Sequence, residues 1–85
     1  MILSDSEIKK AILEFLVKKA RWGSNYFPLQ TLTSWFGRKL ESNGKRSKKA
    51  VKELLKEELL LIHKRGETIS LNPHKKEGVI GLIGK

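Results

Sequence analysis

The stretch from Lys45 to Leu71, KRSKKAVKELLKEELLLIHKRGETISL, constrains this chain more than any other, because a helical period gives way within it to a strand period. At about 100° per residue, Ser47, Val51, Leu54, Leu55 and Glu58 gather on one side. Lys45, Lys49, Lys52 and Lys56 gather opposite, with Arg46 and Glu53 at the flanks. One side is made to pack and the other is a cationic ridge. Beyond it, Leu60 and Ile62 alternate with Leu61 and His63, and the alternation resumes at Ile69 and Leu71. Pairing Lys64 with Glu67 predicts a hairpin with a two-residue Arg65-Gly66 loop, in which Gly66 accepts positive φ at little cost. Ile62 then faces Ile69 and Leu60 faces Leu71, with all four expected on the core side.

Charge concentrates in the same place. Lys45, Arg46, Lys48, Lys49, Lys52, Lys56, Lys64 and Arg65 stand against Glu53, Glu57 and Glu58, a surplus of five that is over half of the chain's net +9. A lysine-rich helix face alone is ordinarily just solvated, but one that runs straight into a basic hairpin tip points to an anionic partner. Nucleic acid, an anionic membrane surface and an acidic protein all qualify. A membrane ranks third: Val51, Leu54 and Leu55 cannot face lipid and also serve the core of an 85-residue chain. Such a chain buries only about 60 to 65% of its unfolded surface, which implies a single domain.

With no cysteine there is no disulfide framework, thiolate nucleophile or zinc-finger ligand set. No apolar run approaches the length of about 18 residues that spans a bilayer, and MILSDSE lacks a leader's basic start. The expectation is a cytoplasmic protein.

In chain order, Ser4-Asp5-Ser6-Glu7 predicts a capping box, with Leu3 and Ile8 as a hydrophobic staple. Ile8, Ala11, Ile12, Phe15 and Leu16 form the core stripe of a first helix, and Leu13, Val17 and Ala20 a second apolar stripe beside it. Gly23-Ser24-Asn25 is expected to end that helix, and Tyr26-Phe27 to be extended before proline. Leu29, Leu32, Trp35, Phe36 and Leu40 predict a second helix from about Pro28 to Glu41, stopped by Asn43-Gly44. An earlier end at Gly37 is the alternative. Trp22, Tyr26, Trp35 and Phe36 read as core packing in preference to a base-stacking platform. After Asn72-Pro73, the tail 74–85 carries Val79, Ile80, Leu82 and Ile83 among glycines, so a helix there needs a surface to lie on. The stripe Leu13, Val17 and Ala20 offers one, in the same chain or in a second copy.

Catalytic patterns are missing. His63 and His74 have no acid or nucleophile at a meaningful spacing. Glu57 and Glu58, adjacent on a helix, diverge by about 100°. Gly78, Gly81 and Gly84 match no phosphate-binding loop. The reading is a binding protein without a cofactor, not an enzyme.

The order helix, short strand, helix, basic helix, hairpin resembles the winged helix-turn-helix superfamily. The similarity is carried by Val51-Lys52-Glu53-Leu54-Leu55 and by Leu60 through Pro73, and covers residues 4 to 73. It implies an α+β winged helix: a three-helix bundle over 1–73 with a C-terminal hairpin wing, followed by the apolar segment 74–85. The resemblance also implies a double-stranded-DNA-binding transcriptional regulator, its third helix in the major groove and its wing on the backbone. The expected contact residues are Arg38, Lys39, Lys45, Arg46, Lys48, Lys49, Lys52, Lys56, Lys64 and Arg65. Arg46 leads as a guanine reader, because arginine is a planar fork and lysine a point charge. Fourteen lysines to four arginines favour phosphate contact over base reading.

Two departures from the family pattern stand out. Glu58 occupies the position where glycine usually ends the recognition helix, so either the helix runs further or a non-glycine residue takes the strained cap. Between Leu32 and Val51 lies the insertion Arg38-Lys39-Leu40-Glu41-Ser42-Asn43-Gly44. Structured RNA remains open as the ligand, and a protein-interaction or ribonucleoprotein assembly module is the competing class. A homodimer through Leu13, Val17, Val79, Ile80, Leu82 and Ile83 is the expected assembly.

Overall fold

The computed structural model describes residues 4–40 and 45–84. They form four helices, α1 (Asp5–Lys18), α2 (Leu29–Leu40), α3 (Lys45–Lys56) and α4 (Lys76–Ile83), and three short strands, β1 (Phe27–Pro28), β2 (Leu60–His63) and β3 (Thr68–Leu71). The strands form one antiparallel sheet in the order β1-β3-β2, so the architecture is α+β.

The capping box starts α1. Ser4 Oγ accepts from the Glu7 amide at 3.3 Å, and Glu7 Oε1 accepts from the Ser4 amide at 3.0 Å. These bonds, the backbone one foremost, hold the Glu7 carboxyl below the usual carboxylate range. The expected staple partner Leu3 lies outside the described residues. The helix ends well before Gly23. Ala20 turns left-handed at φ 53, the Arg21 amide reaches back to the Leu16 carbonyl, and the Ala20 amide to that of Val17. That pairing of bonds is a Schellman closure built without glycine.

At the far end of α3 the same device recurs. Glu58 takes φ 64, its amide bonds to the Leu55 carbonyl, and the Leu59 amide bonds to that of Leu54. Of the two possibilities at Glu58, the strained cap is realised, at a cost of about 1 to 2 kcal/mol for a side chain in that region. Asn72 stabilises it: its Nδ2 donates to the Glu58 carbonyl at 2.8 Å, its amide to the Leu59 carbonyl, and its Oδ1 accepts from the His74 amide.

The core is shared as the helical periods predict. Ile8, Ile12 and Leu16 of α1, Leu32 and Phe36 of α2, and Ala50, Val51 and Leu54 of α3 pack together beneath Leu60, Ile69 and Leu71 of the sheet. Ser47 is also fully buried, and its hydroxyl donates to the Thr33 carbonyl at 3.4 Å, tying α3 to α2. The second helix spans Gly37 and reaches Leu40. Pro28 is the last residue of β1 rather than the first of α2, and the expected stop at Asn43-Gly44 lies outside the described residues.

The hairpin register is as expected, with Leu60 opposite Leu71 and Ile62 opposite Ile69, but two details differ. The ladder ends at His63 and Thr68, so the loop has four residues instead of two. Lys64, Arg65 and Gly66 all take positive φ in it, and the Lys64–Glu67 pair remains only as a bond from the Glu67 amide to the Lys64 carbonyl. Ile62 is 49% exposed rather than buried. It sits on the outer strand of the ribbon, whereas Ile69, flanked by Phe27 on one side and Ile62 on the other, is fully covered.

The tail forms α4 and lies on α1 of the same chain. Val79 and Leu13 are completely buried and Val17 and Ile83 partly so, while Ala20, Ile80 and Leu82 remain exposed. Leu13 and Val79 are therefore spent within the chain and have no surface left for a second copy. Among the described residues, no helix is long and apolar enough to cross a membrane.

Candidate nucleic-acid interface

Burial of Ser47, Ala50, Val51 and Leu54 forces the opposite side of α3 outward, and Lys45, Lys48, Lys49 and Lys52 all emerge exposed. They form one wall of an open groove of about 1990 Å³. Its second wall is α2, with Gln30, Thr31, Ser34 and Arg38 exposed along it, and its end is the hairpin, with Ile62, Lys64, Gly66, Glu67 and Thr68. Val51, Leu55 and Leu29 make an apolar floor. Glu67 is the only carboxylate among the described lining residues, against Arg38 and five lysines. A cleft lined by one sign of charge over a low-dielectric floor concentrates field and attracts polyanions.

The groove is locked to the core at several points. The Leu29 amide donates to the Glu67 carbonyl at 2.9 Å, joining the start of α2 to the hairpin turn. On the reverse of the hairpin, Ser70 Oγ donates to the Gly23 carbonyl at 2.7 Å, leaving a lone pair for His63 Nε2 at 3.2 Å. The His63 ring stacks on Tyr26 with centroids 4.1 Å apart. His63 is thus a structural residue of the hairpin's back. Trp35 packs against Phe15 and Phe36 at 5.4 and 4.7 Å, and at 38% exposure sits at the core's rim, away from the groove lining.

Of the ten residues expected at the interface, Arg38, Lys45, Lys48, Lys49, Lys52 and Lys64 converge on the groove. Lys56 and Arg65 are exposed but outside it, at the end of α3 and in the hairpin turn. The side chain of Lys39 lies outside the described residues. Arg46 stands apart from these six: it does not line the groove, and its Nη2 lies 3.3 Å from Asp5 Oδ1 on α1. Asp5 Oδ2 is also 3.7 Å from Lys49 Nζ, and Lys9 pairs with Glu57 at 2.7 Å. This flank of α3 is an α1–α3 seam.

Gln30, Thr31 and Ser34 were not singled out from the sequence. Their signal was nevertheless present, because on a helix that buries Leu32 and Phe36 these three fall on the same side as Arg38. No group of three or more potential metal ligands gathers among the described residues. No family model matches the chain, and no curated protein or solved structure matches it either.

Proposed function

We propose that this chain is a winged-helix protein that binds double-stranded DNA and regulates transcription, with α3 presented to the major groove and the β2–β3 hairpin as the wing along the backbone. The observation that carries this reading is the convergence of Arg38, Lys45, Lys48, Lys49, Lys52 and Lys64 from three separate elements onto one groove. Among the described residues, no carboxylate lies within ion-pair distance of Lys45, Lys48 or Lys52, so their charge is available to phosphates. Lysine ammonium groups on a helix face suit backbone contact.

The test is an electrophoretic shift with unrelated duplexes, single strands and structured RNA, followed by a salt titration on the duplex. Log K is expected to fall with log salt at a slope of about −4 to −5, as four to six neutralised phosphates give. A slope near −1, or no duplex binding at low salt, overturns the proposal, and preference for RNA redirects it.

A protein-interaction module is the second reading, favoured by one observation: Ile80 and Leu82 on α4 stay 44% exposed each. It is also what remains of the homodimer expectation. Ile80→Glu that lowers the sedimenting mass without lowering the melting temperature supports it.

A further inference from the structure

We infer that whatever sequence selectivity this groove has resides on α2, in Gln30 and Arg38, and not on α3. The inference rests on the duplex-DNA reading and assigns the two walls of the groove different work.

The α3 wall presents only lysines: Lys45, Lys48, Lys49 and Lys52. An ammonium group is a compact, strongly hydrated point charge that matches a phosphate better than it discriminates base edges. The single arginine of α3, Arg46, points to the other flank, where Asp5 holds its Nη2.

The α2 wall presents different chemistry. Gln30, Ser34 and Arg38 recur at i, i+4 and i+8, so they stand in one row, and all are exposed in the same groove. Two of them are planar and bidentate. The glutamine amide offers one acceptor and two donors, matching adenine N6 and N7, and the guanidinium fork matches guanine O6 and N7. Eight residues of helix separate them by about 12 Å, which spans three to four base steps of about 3.4 Å each. The remaining planar group, the Glu67 carboxylate, lies in the hairpin turn, and its charge opposes any neighbouring phosphate.

The experiment is affinity selection from a randomised duplex library at moderate salt, using the full chain and four variants whose folding is verified by melting. The wild type is expected to enrich a short motif in which an adenine and a guanine lie three to four steps apart. Q30A should lose the adenine preference. R38K, which keeps the charge, should lose the guanine preference. Each loss is expected to shrink discrimination by about 5- to 150-fold, the range for one bidentate contact. A K48A/K52A double variant should bind every sequence more weakly while enriching the same motif, and R46A should leave the motif intact.

Selectivity unchanged in Q30A and R38K but erased in K48A/K52A or R46A overturns the inference and returns base reading to α3. A wild type that enriches nothing, while still binding with a steep salt slope, overturns the inference and leaves the DNA reading standing. Failure to retain any duplex at low salt overturns both.

Discussion

The two flanks of α3 carry nearly the same residue types and behave differently. Toward α1, Arg46 meets Asp5 and Glu57 meets Lys9, while Lys49, which lines the groove, stands between the two flanks with its Nζ 3.7 Å from Asp5. Toward α2 and the hairpin, Lys45, Lys48 and Lys52 have no carboxylate within ion-pair distance among the described residues. The difference teaches that charge counted along a helix is not charge available to a ligand. A cation facing a packed neighbour is absorbed into the fold, while one facing an open groove keeps its field.

The largest expected effect breaks both flanks together. Leu54 is fully buried beneath α3, so Leu54→Ala should destabilise by about 2 to 5 kcal/mol, read as a fall in urea midpoint. The fraction still folded should keep the wild-type salt slope. Removing charge from the groove flank alone is next. Lys48→Ala with Lys52→Ala should flatten the slope of log K against log salt by about 1.8, with stability changed by no more than about 0.5 kcal/mol. An unchanged slope would place the duplex elsewhere.

A third change sharpens the comparison by acting on α3 away from either flank. Glu58→Gly relieves the left-handed cap and should raise stability by about 1 kcal/mol, leaving the salt slope as it was. Lower stability would mean that the Glu58 side chain contributes more than its backbone strain costs. The smallest effect belongs to the α1 flank. Because Asp5 is an exposed partner, Asp5→Asn should cost only about 0.2 to 1 kcal/mol while tightening duplex binding by freeing Arg46 and Lys49. Weaker binding after that change would show that Asp5 positions these cations for the ligand.

Features governed by short-range pattern were legible in the sequence. Ser4 and Glu7 stand three residues apart and form their capping box; Leu60 and Leu71 face each other because strand alternation and a tight turn leave little choice. The buried face of α3 follows its period of 3.6. Features set by tertiary packing were not. Arg46 meets a carboxylate 41 positions away only because α1 crosses α3 there. Ala20 takes a left-handed cap that composition assigns to glycine, and at Glu58, where the sequence left the strained cap as one of two possibilities, the choice is settled by Asn72 from outside the helix. Ile62 alternates correctly yet stays exposed, since alternation fixes a face and not whether a neighbour covers it. The polar wall of α2 needed the position of α3 before its role could be seen.

The strand order has a consequence for the rate at which the sheet assembles. β3 comes last of the three in sequence and lies in the middle in space. Its pairing with β2 closes a short, local loop, whereas its pairing with β1 must bring Phe27 to Ile69 across about half of the chain. Loop-closure entropy grows with that separation, so the hairpin is expected to zip first and the two-residue edge strand to dock late. The Leu29 amide, bonded to Glu67 at that edge, should exchange its proton with solvent sooner than the amides of the β2–β3 ladder. The side of the sheet that carries the start of α2 is thus the last part to arrive and the first to breathe.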